Sequence, residues 1–274
     1  METGDCKLCL LKSMDLRDSH FLPRSLYALM RTDDHAPVYI SKESIYSSTK
    51  QVKDYVFCGA CEQCFSKAEA WIKPILPQIG GPFPLRERLM KQAPVEKTAD
   101  WELYETSSNP EINVDKLIHF GIGVFYKGGV HRWNNETTEP YLKLEPEEQE
   151  ALRKYLLGLS DLTKNIALCV TVDSLPVVWQ SMIQPYRAEP LLGFTRYVFY
   201  IPGIFFQLLI GDGVRDAVPT NFNANPQHSI LVEDVSHPMR NTAREQTANA
   251  KRTEKVDRTT AEIKAKGLNI RLGN

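Results

Sequence analysis

Hydrophobic positions along this chain fall into separate runs, and their spacing predicts its elements. Leu117 to Tyr126 (LIHFGIGVFY) and Ile166 to Val172 are rich in β-branched and aromatic residues and read as strands. Between them, Pro146 to Leu157 opens with proline and acidic residues. It then places Leu152, Tyr155 and Leu156 at helical intervals, which predicts an amphipathic helix. Thr195 to Ile201 and Ile204 to Ile210 flank Pro202-Gly203 and read as consecutive strands of a hairpin. The second run is apolar but for Gln207, which implies burial on both faces; a short buried helix would give the same pattern. Gly211-Asp212-Gly213 reads as the turn after it.

Nearer the N-terminus, Asp18 to Pro23 reads as a short strand and Glu62 to Ile72 as a helix. Phe65, Ala68 and Ile72 recur at three- and four-residue spacing and face a core. Glu62 and Glu69 lie two helical turns apart and project from one side. The fold class expected is α+β. Residues 1–80 form a small cysteine-bearing module. Residues 81–111 are a connector with one short helix near Leu85 to Lys91. Residues 112–235 form a larger α+β domain with a mainly antiparallel sheet, and 236–274 a polar helix or tail.

Charge changes this picture only at the end of the chain. Thirty-three basic residues face 34 acidic ones among 274, so this is no strongly basic nucleic-acid coat. From Arg240 to Asn274, however, nine Lys/Arg face four Asp/Glu. That tail reads as a solvated helix, a disordered segment, or an arm that docks on a protein partner or a phosphate backbone. No run of eighteen apolar residues occurs, so no spanning helix is expected. Met1-Glu2-Thr3-Gly4-Asp5 lacks the basic flank and apolar core of a signal peptide, so a cytoplasmic protein without membrane contact is the expectation.

Six cysteines then define the candidate chemistry. Cys169 sits in an apolar run and reads as a buried small hydrophobe. Cys6-Lys7-Leu8-Cys9 and Cys58-Gly59-Ala60-Cys61 are two C-x2-C pairs. Two thiolates three positions apart on a tight turn can point at one ion. Two such turns supply the four sulfurs of a tetrahedral structural Zn2+ site. Cys64 falls on the first turn of the predicted helix and is a substitute for Cys61 or another ligand.

A C-x2-C pair, a strand carrying His20 ahead of Pro23, then a C-x2-C pair leading into a helix resembles the zinc-stapled branch of the HNH (ββα-metal, treble-clef) endonucleases. The resemblance covers residues 6–73. It implies a treble-clef module in which His20 is a general base that activates water. It also implies a catalytic divalent ion, Mg2+ or Mn2+, held by residues beside that histidine and on the helix. By position, those are Asp18 or Ser19 together with Glu69, with Glu62 next. The chain departs from the pattern in placing Ser19 before the histidine, Glu62 after the last zinc cysteine, and no histidine on the helix. Residues 1–110 carry 14 basic and 15 acidic residues, so charge marks no basic groove there.

The rest of the chain proposes no reaction. Gly128-Gly129 reads as a turn, and His131 to Asn135 as a polar loop after it. Lys127-Gly128-Gly129-Val130 lacks the spacing of a phosphate-binding loop. Two functional readings follow. One is a metal-dependent endonuclease acting on DNA or RNA, of the kind found among bacterial anti-phage effectors. The other is a zinc-scaffolded subunit without catalysis that binds nucleic acid, or a protein through its C-terminal domain or tail.

Overall fold

A computed structural model describes residues 2–29, 38–40, 44–47, 51–78, 81–133, 140–175, 182–235 and 251–252. It is a mixed α+β structure with two sheets. The first sheet has three strands, β1 (Glu2–Gly4), β2 (Met14–His20) and β5 (Lys53–Cys58), in the order β1-β2-β5, all antiparallel. Helix α1 (Arg24–Leu29) follows β2 and helix α2 (Gly59–Ile72) follows β5 directly. A helix α3 (Pro84–Leu89) falls where the connector's short helix is expected.

The second sheet is built from β3 (Val38–Ile40), β4 (Ser44–Ser47), β6 (Glu96–Lys97), β7 (Trp101–Tyr104), β8 (Ile166–Asp173), β9 (Met182–Leu191), β10 (Phe194–Ile201), β11 (Ile204–Ile210), β12 (Ile230–Glu233) and β13 (Lys251–Arg252). Its order is β13-β4-β3-β9-β10-β11-β8-β12-β7-β6. It is mainly antiparallel; the β12–β8, β3–β9 and β13–β4 pairs are parallel. Helices α4 (Val114–Val130) and α5 (Pro146–Leu156) precede β8, and the short α6 (Val214–Ala217) follows β11. Most of the expected tail, 236–250 and 253–274, lies outside the described residues, and Lys251–Arg252 form a two-residue edge strand.

The hairpin at Pro202-Gly203 forms as expected, with Ile201 opposite Ile204. Proline followed by a glycine at φ +80 fits a type II turn. A Cβ on Gly203 would also stand 2.6 Å from the Phe83 ring. Gly203→Ala therefore combines strain with overpacking, and should lower stability by about 1–3 kcal/mol, read as a shift in urea midpoint. Helix α5 forms as read, with a capping box between Glu145 and Glu148. Cys169 is buried as expected, and desolvation pushes its thiol up to about 12.

The segment Leu117 to Tyr126 corrects the sequence reading: it is part of α4, not a strand, and Gly128-Gly129 belong to the helix's last turn rather than to a turn. Most of this 17-residue helix is buried, from Leu117 round to Gly128, so no polar face marks its period. A run apolar on all sides cannot announce a 3.6-residue repeat. What starts it is Asn113, whose side chain accepts a hydrogen bond from the Lys116 amide at 2.9 Å.

Helix α4 is the centre of the molecule. On one side Phe120 and Phe125 pack on Phe199 and Phe206 of the large sheet, with Phe199 and Phe206 stacked at 4.6 Å. On the other side α4 meets α2, where a Cβ at Gly123 would come within 3.2 Å of Phe65. The absent side chain lets the two helices approach closely. One hydrophobic cluster thus runs without a break from Cys6 to Val232.

A candidate four-cysteine metal centre and the adjoining cleft

The first C-x2-C pair lies on a tight turn after β1. The Cys6 amide donates to the Leu11 carbonyl and the Leu10 amide to the Cys6 carbonyl, both at 3.0 Å. Two groups from the core side fix this turn from outside. The Tyr126 hydroxyl donates to the Lys7 carbonyl, and Arg153 Nη1 donates to the Leu8 carbonyl at 3.3 Å. Arg153 is itself held in a two-point contact by Glu150, at 2.6 and 2.8 Å. The second pair sits where β5 becomes α2. Cys58 is the residue before the helix, and Cys61 lies in its first turn.

These two turns meet. The sulfurs of Cys6, Cys9, Cys58 and Cys61 all lie within 4.8 Å of one another, and Cys9 and Cys58 are 3.9 Å apart. A tetrahedron with zinc–sulfur bonds of about 2.3 Å has edges of about 3.8 Å, so the spacing suits zinc. None of these cysteines is in a disulfide. The Cys58 amide also donates to the Cys6 sulfur at 3.3 Å. Hydrogen bonding from the Cys61 thiol pushes Cys6 down to about 4, against desolvation, and the same contact raises Cys61. Cys6 also lies next to the positive end of α2, where a thiolate is favoured over a thiol. A divalent ion would displace the remaining protons.

Four cysteines therefore could hold one zinc ion. Among the described residues they form the single cluster of three or more Cys, His, Asp or Glu with that capacity. Cys64 stands outside it. Its sulfur donates to the Ala60 carbonyl at 3.5 Å, along the helix.

Beside the metal centre lies an open cleft of about 320 Å³. His20, Glu62 and Glu69 line it, with Arg24, Ser66 and Lys73. His20 arrives at the end of β2 and the two glutamates on one side of α2. A register shift between Arg17 and Asp18 shapes this arrangement. It leaves Arg17 and Asp18 both exposed and turns Ser19 inward, where strict alternation would have kept Ser19 out. Ser19 is fully buried, and its hydroxyl accepts from the Phe57 amide at 3.3 Å. Asp18 pairs with Lys53 on the exposed face and does not line the cleft.

The His20 ring is held by Gln51: Nε2 and the Gln51 Oε1 are 2.7 Å apart. A carbonyl oxygen can only accept, so Nε2 donates in this contact, and in the neutral ring the lone pair is then on Nδ1. Glu62 Oε1 is buried and has no hydrogen-bond partner among the described residues. Desolvation raises the Glu62 carboxyl above the usual range, opposed by Lys127 and Ser19. Glu69 is differently placed. Its Oε1 is 2.7 Å from Lys127 Nζ, a side chain of α4 only 2% exposed.

Lys127 is the feature of this site that sequence reading missed. Its ammonium group also donates to the His20 carbonyl at 3.1 Å and lies 4.4 Å from the centre of the Phe65 ring. One signal was available: Lys127 is the single charged residue between Lys116 and His131, inside an apolar run. A lysine in such a setting has to find a partner. Gln51 carried no comparable signal, being 31 residues from His20.

Of the loop singled out after α4, His131, Arg132 and Trp133 are described and 134–135 lie outside the described residues. His131 Nε2 contacts Asp54 Oδ2 at 2.8 Å, and Trp133 Nε1 donates to the Lys127 carbonyl at 2.6 Å. Burial opposes the Asp54 carboxylate, but hydrogen bonds from His131 and the Tyr55 amide hold its carboxyl below the usual range. These contacts fasten the end of α4 to β5. No helix among the described residues is long and apolar enough to cross a membrane. Comparison of the chain with protein-family models, with curated proteins and with solved structures returns no match to any of them.

Proposed function

We propose that the protein is a zinc-stapled, HNH-like endonuclease whose cleft hydrolyses phosphodiester bonds in DNA or RNA. The observation that carries this reading is the position of His20. It ends β2 of a strand–strand–helix unit, its ring is fixed by Gln51 at 2.7 Å, and it shares one cleft with Glu62 and Glu69 of α2. In this reading the zinc ion is structural, a closed four-thiolate site with no position left for substrate. It joins the turn at Cys6 to the start of α2 and so fixes the helix that carries both glutamates.

His20 Nδ1 would take the proton of a water molecule as its oxygen bonds to phosphorus. The bond from phosphorus to the leaving oxygen then breaks, and that oxygen takes a proton from solvent. Gln51 holds the proton of the neutral ring at Nε2, which leaves Nδ1 as the basic nitrogen. Arg24 and Lys73, at the cleft, would attract the phosphate backbone. The HNH resemblance also implies Mg2+ or Mn2+ beside His20. The residues present do not fit such an ion at Glu69, because that carboxylate is tied to Lys127.

The test is cleavage of single- and double-stranded DNA and RNA by the zinc-loaded protein, with Mg2+, with Mn2+ and with neither. Wild-type protein should cleave at least one substrate, and His20→Ala should be slower by about 10²–10⁴-fold. Equal inertness of both proteins on every substrate would sink the proposal. A second reading has support in the Lys127–Glu69 pair, which neutralises one of the two acids. It is a non-catalytic zinc-scaffolded subunit that binds nucleic acid or a protein. It predicts that inert outcome, with nucleic-acid or partner binding retained in His20→Ala. An anti-phage role would be tested by challenging cells that carry wild-type protein or His20→Ala with phage.

A further inference from the structure

Lys127 is buried, and nothing in the zinc centre needs it. Its Nζ reaches Glu69 Oε1 at 2.7 Å and the His20 carbonyl at 3.1 Å, and it lies over the Phe65 ring. The group therefore bridges the two elements that build the cleft, the end of β2 and the middle of α2, from a helix that belongs to neither. From there the ammonium would compete with any divalent ion for Glu69 Oε1.

We infer that Lys127, buried behind this cleft, is the cation that holds Glu69, and that the cleft takes a phosphodiester without binding a divalent metal at Glu69. The second half rests on the hydrolytic reading above; the first does not. Three observations lead there. Glu69 has given one oxygen to a cation that the fold supplies and that is only 2% exposed. His20, Glu62 and Glu69 do not form a metal-ligand cluster, whereas the four cysteines do. Glu62 is then the one acid of the cleft without an ion-pair partner among the described residues, and Mg2+ or Mn2+ sites built from protein usually rest on carboxylates acting with waters and substrate phosphates. Lys127 is close enough to act electrostatically on Glu62 as well, and its charge opposes a second cation there. By holding Glu69 and the His20 backbone from outside the cleft's lining, Lys127 is a positioning residue.

Mn2+ binding to the zinc-loaded protein, followed by electron paramagnetic resonance, tests this without reference to activity. The thiolate set prefers zinc over Mn2+, so the probe reads oxygen and nitrogen ligands. In the wild type, Mn2+ affinity should be unchanged by Glu69→Gln or by Glu62→Gln. Lys127→Gln should gain one Mn2+ per chain, and the double change Lys127→Gln, Glu69→Gln should lose it again. Circular dichroism on each variant establishes that it is folded. If Lys127→Gln does not fold, the wild-type comparison with the two glutamate variants still decides. A Mn2+ site in the wild type that weakens in Glu69→Gln or Glu62→Gln would overturn the inference. The outcomes separate cleanly from the nuclease assay. Cleavage together with a Glu69-dependent Mn2+ site would leave the endonuclease and remove the role given to Lys127. Neither cleavage nor Mn2+ binding would leave Lys127 as the cation of Glu69 and remove the endonuclease.

Discussion

Replacing Cys58 with serine should strip zinc from the protein and unfold the region around residues 2–20 and 51–72. Cys58 is at once a sulfur of the cluster and the residue that turns β5 into α2. Serine keeps that turn but gives a poor zinc ligand. Structural zinc in small modules is worth about 10–16 kcal/mol of apparent binding energy, and most of it appears as folding energy. The protein differs from an isolated finger in one respect that softens the loss. Leu8, Leu16, Phe57 and Phe65 of this region are buried in the same cluster as α4 and α5. Part of the packing should therefore outlast the metal. The expected result is zinc content well below one per chain and early loss of protection at the amides of β2, β5 and α2. Even a loss of about 3 kcal/mol would lower the melting midpoint by roughly 6–12 °C in a chain of this size. Hydrogen exchange and a thermal scan read both quantities. Unchanged protection and midpoint in a zinc-free Cys58→Ser protein would contradict the structural role.

Lys127→Ala should cost the next largest amount, roughly 3 kcal/mol. Removing one member of a buried ion pair leaves the other charge without its partner, an effect of about 3–5 kcal/mol when both are fully buried. Glu69 is 22% exposed, so water recovers part of its solvation and the low end applies. The same change frees the His20 carbonyl and removes the aliphatic stem that packs beside Phe65. Glu69→Gln should cost less than Lys127→Ala, since an amide oxygen can still accept from the ammonium. If Lys127→Ala and Glu69→Gln were equally mild in urea titrations, the pair would be a surface contact without structural weight.

How far the sequence disclosed this molecule depended on the range of each signal. The two C-x2-C pairs were legible because metal-ligand spacing is local: three residues and a tight turn give each half of the site. The helix at Glu62, the hairpin at Pro202-Gly203 and the start of α5 were legible from local spacing and turn residues, whereas the strand read over Asp18 to Pro23 is β2, which runs Met14–His20. Helix α4 was misread because its surroundings, not its sequence, set its burial. It is covered by α2 on one side and by Phe199 and Phe206 on the other, so no polar stripe survives to mark a helix. Strands β6 and β7 were missed because Glu96–Lys97 and Trp101–Tyr104 are short and lie at one edge of the sheet, where polar residues are tolerated.

The cleft shows the same division. His20, Glu62 and Glu69 were named by the HNH resemblance, and the structure brings all three to one opening. Their chemical inequality came from partners distant in sequence. Gln51 sets the tautomer of His20, Ser19 is turned toward Glu62 by a one-residue irregularity in β2, and Lys127 claims Glu69 from α4. Pairings of this kind depend on tertiary contacts and leave only a faint mark in the chain, such as a lone lysine among apolar neighbours.

X-ray absorption at the zinc edge of the purified protein is the most direct measurement. Sulfur scatterers alone, four of them at about 2.3 Å around one zinc per chain, are the predicted result. Zinc absent from the folded protein, or bound through nitrogen and oxygen in place of these sulfurs, would contradict it.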